Sequence, residues 1–119
     1  MDVHQISFAK ITVLRNDLAE IVVDDGVDIN VKMVDEIHYC LLSIFNHTFS
    51  LLINKTNSYS SQLDALMKFG TLAAINKIAI FAPNKMARMS ADFSATIPSS
   101  KTLNIEVFID RDDALLWLH

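Results

Sequence analysis

The chain has 119 residues, 51% of them apolar and 20% charged, with a formal net charge of −4. That is the size of one domain, and the apolar content excludes a disordered chain, which could not bury enough surface to offset its ordering entropy. The ten Lys and Arg are scattered singly from Lys10 to Arg111, so a nucleic-acid partner lacks the basic stripe that would attract it.

The first residues, Met1-Asp2-Val3-His4, hold no basic segment followed by an apolar run, which argues against a secretory signal. No stretch approaches the ~20 apolar residues of a membrane span. Cys40, the one cysteine, has no partner for an intrachain disulfide. The expectation by elimination is a cytoplasmic protein.

In chain order, Ala9, Ile11 and Val13 alternate with Lys10 and Thr12, the period-2 pattern of a half-buried strand. Arg15-Asn16-Asp17 is a turn cluster, and Leu18 to Val23 forms the second strand of a hairpin that Asp24-Asp25-Gly26 ends. From Val31 to about Asn46 the period becomes helical. Val34, Ile37, Leu41 and Ile44, with Cys40 and Phe45, share one face, and Asn30 stands at the N-cap.

Phe49 to Ile53 reads as a buried strand and Asn54 to Ser61 as a polar loop. Ser61-Gln62-Leu63-Asp64 has capping-box spacing, and Leu63, Leu66, Met67 and Gly70 predict the inner face of a second helix. Lys77 to Phe81 is another buried strand. Pro83-Asn84 opens a third helix whose Met86, Met89 and Phe93 stripe predicts core packing. Ile97-Pro98-Ser99-Ser100 reads as a loop and Leu103 to Phe108 as the last strand. Asp110-Arg111-Asp112-Asp113 caps a helix ending Leu115-Leu116-Trp117-Leu118.

The order ββαβαβαβα predicts a single α/β domain over 1–119. It has a mostly parallel five-stranded sheet, one antiparallel strand from the hairpin, and about four helices. Gly26-Val27-Asp28-Ile29-Asn30, Leu51-Leu52-Ile53-Asn54, Lys77-Ile78-Ala79-Ile80-Phe81, and Phe108-Ile109-Asp110 through Ala114-Leu115-Leu116-Trp117-Leu118 carry a resemblance. Over nearly its whole length the chain resembles the STAS domain, and more closely the small SpoIIAA-like proteins of bacteria. The resemblance implies a non-enzymatic regulatory module that binds another protein. It also implies a partner kinase acting on a serine at the start of the second helix, within an Asp-Ser-Ser/Thr-Gly step. Here that stretch is Asn57-Ser58-Tyr59-Ser60-Ser61-Gln62, with the serines present and the flanking Asp and Gly absent.

Three candidate sites follow. Asn57, Ser58, Ser60 and Ser61 lie beyond a strand's carboxyl end, where partners dock on open α/β sheets; they form the candidate partner or phosphorylation loop, Ser61 serving otherwise as a helix cap. Lys55, Lys85 and Arg111 sit in or beside such loops as a candidate anion patch, or as three solvated side chains. Met86, Met89 and Phe93, with Met33 and Met67 near them, are a candidate apolar ligand site if the third helix is loosely packed. That alternative makes the chain a small carrier or sensor of an apolar or anionic ligand.

The four histidines lack metal-ligand spacing, and no nucleophile is paired with a base, so neither metal, cofactor nor catalytic residue is expected. Cys40 shares its helical stripe with Ile37, Leu41 and Ile44, as a structural thiol does. Asp24, Asp25 and Asp28 read as a solvated turn. The strand Ala9 to Val13, taken as a sheet edge, offers a place for a homodimer to pair.

Overall fold

The computed structural model describes residues 2–95 and 104–119. Its strands are Val3–Gln5 (β1), Ala9–Arg15 (β2), Leu18–Val23 (β3), Asp28–Ile29 (β4), Phe49–Asn54 (β5), Ser60–Ser61 (β6), Ile75–Phe81 (β7) and Asn104–Phe108 (β8). Its helices are Val31–Ile44 (α1), Leu63–Phe69 (α2), Lys85–Ala95 (α3) and Arg111–Leu118 (α4). The expected loop at Ile97 to Ser100 and the residue Leu103 lie outside the described residues.

The main sheet has six strands in the order β1-β2-β3-β5-β7-β8. β2 runs antiparallel to both neighbours, and every other pairing is parallel. The α/β architecture, its four helices and its one antiparallel strand are as the residue patterns predict. The sheet gains a sixth strand because Val3–Gln5 pairs with Lys10–Thr12. That pairing also corrects the expected edge: Ala9–Val13 is covered, and β1 forms the border. A separate two-stranded piece joins β4 to β6.

From β3 onward each crossover advances one place in the same direction, so right-handed connections place α1, α2 and α3 on one face. On that face Val34, Ile37 and Leu41 of α1, Ala65 of α2 and Ala91 of α3 pack with Ile21, Leu51, Ile78 and Ile80 of the sheet. α4 covers the opposite face, where Ala114 and Leu118 meet Leu18, Leu52 and Ala79. Coverage on both faces explains why β5 buries apolar side chains on each, Leu51 on one and Leu52 on the other, rather than alternating strictly.

Local chemistry sets the helix ends. Asn30 caps α1 by accepting from the Met33 amide, and Asp110 caps α4 by accepting from the amides of Asp112 and Asp113. α2 departs from expectation. Its N-cap position is Gln62, which makes no side-chain cap bond, while Ser61 belongs to β6. The predicted inner residues Leu63 and Met67 face outward; Ala65 is buried, with Leu66 and Phe69 partly so.

α3 is a clearer correction. Met86, Met89 and Phe93 are exposed, Met86 by 80%, and the inward position is taken by Ala91 with Ala87 beside it. Small residues at an i, i+4 spacing let the helix seat closely on the sheet, which turns the larger thioether side chains away from it.

Candidate functional site

Loop 55–61 is held from several sides. The Lys55 amide donates to the Phe81 carbonyl, 2.9 Å away, which carries the β5–β7 pairing one residue past the strand. Asn54 Oδ1 accepts from the Thr56 amide and hydroxyl. The Asn57 side-chain amide donates to the Val23 carbonyl. The acidic turn completes the attachment: Asp25 accepts from the Ser58 amide at 2.7 Å, and Asp28 accepts from the Ser60 hydroxyl and the Gln62 side-chain amide. Gly26, at φ +78°, adopts the left-handed conformation that other residues resist, and its amide donates to the Ser58 carbonyl. Asp25 and Asp28 are therefore clamps rather than purely solvated residues of a turn.

This attachment decides where Lys55 goes. Alternation along β5 directs Phe49, Leu51 and Ile53 to the face covered by α1 to α3, and the extra residue in register puts Lys55 on that same face. Lys55 is only 7% exposed. It borders an apolar cavity of about 90 Å³ walled by Ile21, Ile37, Ile53, Ala65, Ile78 and Ile80. Its ammonium lies 3.8 Å from the centre of the Tyr59 ring. Among the described residues no carboxylate pairs with it, and residues 96–103 contain no Asp or Glu. Burial without a counter-charge pushes its pKa from 10.5 down to about 8. Burial also pushes the Tyr59 phenol up from its ordinary value.

The cavity continues into a wider groove of about 330 Å³. Lys55, Tyr59, Ser61, Leu66 and Ser94 line both spaces, and Asn57, Ser58, Ser60, Asn84, Met86 and Phe93 line the groove alone. The structure thus gathers the four loop residues, two of the three α3 residues and Lys55 around one opening. Met89 points elsewhere on the exposed surface and lines neither space; Met33 packs against the core instead, and Met67 is exposed.

The three cations do not form one patch. Lys85 is exposed, and Arg111 belongs to the opposite face of the sheet. There its guanidinium donates to both carboxylate oxygens of Glu20, at 2.6 and 3.1 Å, while the Asn54 amide donates to the same carboxylate at 2.9 Å. Burial alone would raise the Glu20 carboxyl, but these hydrogen bonds and the Arg111 charge outweigh it and hold the pKa below the ordinary value. Glu20 belongs to no expected site and Asn54 only to the start of the polar loop Asn54 to Ser61; polar side chains on a sheet buried on both faces are the signal that marks them.

Among the described residues no three His, Cys, Asp or Glu side chains converge as a metal site. Burial and then Glu36 raise the Cys40 thiol, the opposite of what a nucleophile needs. His38 Nε2 donates one bond to the Phe69 carbonyl, 3.1 Å away, joining α1 to the end of α2. Among the described residues no helix is long and apolar enough to cross a membrane. No family model matches this chain, and no curated protein or solved structure matches it either.

Proposed function

We propose that this chain is a non-enzymatic binding module, a small carrier or sensor whose ligand enters between loop 55–61, α2 and α3. The observation that carries the reading is Lys55, a buried cation without a carboxylate partner at the junction of an apolar pocket and a wider, more polar groove. Burying an unpaired charge works against folding, and groups of this kind concentrate where ligands bind. The STAS-like resemblance supports a second, regulatory reading in which the occupant is another protein. That reading is favoured by the exposed Met86, Met89 and Phe93 on the helix that walls the groove, because flexible apolar side chains serve adaptable docking surfaces.

Native mass spectrometry of the protein gently purified from its own cells separates the two. The carrier reading expects a defined small-molecule adduct that Lys55→Met removes. A bare mass accompanied by a near-stoichiometric captured protein, released by Met86→Asp but not by Lys55→Met, would replace it with the docking reading.

A further inference from the structure

Resting on the binding reading above, we infer that the ligand is a monocarboxylate with a short aliphatic body, its carboxylate against Lys55 and its hydrocarbon in the cavity behind. The head group follows from charge. Among the described residues Lys55 is the only charged side chain lining either the cavity or the groove. One buried cation is neutralised by one negative charge, whereas a phosphate dianion would bring a second charge with no second cation among the described lining residues to meet it. A cationic ligand would be repelled, and a neutral one would leave Lys55 uncompensated.

The donors also fit a carboxylate. Tyr59 borders the same cavity, and among the described residues neither its hydroxyl nor the Lys55 ammonium has a hydrogen-bond partner. With the ammonium 3.8 Å from the ring centre, the two oxygens of one carboxylate can accept from Lys55 and from the Tyr59 hydroxyl together. A carboxylate accepts and never donates when ionised, which matches a site that offers two donors. The body follows from the walls. Isoleucine and alanine side chains line a space of about 90 Å³, enough for a short aliphatic segment, and anything longer runs into the serine-lined groove of about 330 Å³.

Calorimetric titration with butanoate, hexanoate and octanoate, each paired with the alcohol of the same chain length, tests the inference. The expected result is that the acids bind wild-type protein at least tenfold more tightly than the matched alcohols. Lys55→Met should bring the acids down to the alcohols or below, leave alcohol binding intact, and keep a folded circular dichroism spectrum. Tyr59→Phe should weaken acid binding severalfold. If acids and alcohols bind wild type equally, the carboxylate assignment is overturned while the cavity remains a binding site. If neither series binds wild type and the alcohols also fail on folded Lys55→Met, the binding reading falls together with the inference.

Discussion

Arg111→Met lowers the thermal midpoint by roughly 10 °C, corresponding to about 2–3 kcal/mol for a domain of this size. The substitution keeps much of the side-chain volume and removes both guanidinium donors to Glu20. Glu20 is 7% exposed, so its carboxylate is left in a poorly solvated position with only Asn54 to donate to it. The loss falls at the lower end for a broken buried pair because the Arg111 side chain is itself 38% exposed and water can partly replace it. Adding Glu20→Gln to Arg111→Met restores most of the loss, since it removes the stranded charge.

The same variant changes one pH dependence. In the wild type the Glu20 pKa is lowered from 4.5, so its contribution is present above that value and disappears as pH falls through the folded pKa. Without Arg111, burial is opposed only by the Asn54 hydrogen bond and the Lys10 charge, so the folded pKa moves up. The penalty is then full at neutral pH and is relieved as the carboxyl protonates. Denaturant titrations at neutral and acidic pH check this: the stability gap between wild type and variant should narrow as pH falls.

Lys55→Met acts in the other direction and stabilises the protein by about 2 kcal/mol at neutral pH. A pKa pushed from 10.5 to about 8 represents up to about 3 kcal/mol of disfavoured charge. The lost attraction to the Tyr59 ring, about 1 kcal/mol, offsets part of the gain. The sign of the pH dependence is fixed by linkage. Between pH 8 and 10.5 the unfolded chain holds a proton on Lys55 that the folded chain has released, so wild-type stability rises with pH across that window. Cys40 opposes this around its ordinary value of 9.0 and Tyr59 above 10.0, because both are raised on folding. Both contributions are common to wild type and Lys55→Met, so the comparison is of the two proteins between about pH 8 and 9.5, where the stability gap between them should narrow as pH rises. A variant less stable than wild type at neutral pH would mean that the ammonium is well solvated or paired.

Local patterns revealed most of the fold. The apolar run Phe49 to Ile53 is legible because a strand covered on both faces needs no polar side, and Asn30 and Asp110 are legible because a cap acts within three residues. β1 escaped notice because Val3-His4-Gln5 is too short to show alternation, and β4 and β6 are two residues each. Side-chain size points to Met86, Met89 and Phe93 as the inner stripe of α3, whereas the close helix–sheet approach selects the alanines.

For the site, loop 55–61 and Lys55 were both visible, but Lys55 stood out as part of a surface patch. Its burial depends on the register that Phe81 imposes from β7 and on helices packed from elsewhere in the chain. Continuing the alternation 49, 51, 53 by one step would have pointed it inward. Arg111 and Glu20 are 91 residues apart, and no local spacing joins them.

The most direct measurement is the titration of the Lys55 side chain by NMR, following its ε-carbon in selectively labelled protein across the alkaline range. A midpoint near 8 is the expected result, and it places an unpaired ammonium beside the apolar cavity. A midpoint at the ordinary 10.5 would contradict it, moving Lys55 into solvent or against a counter-charge and removing the feature on which the binding site rests.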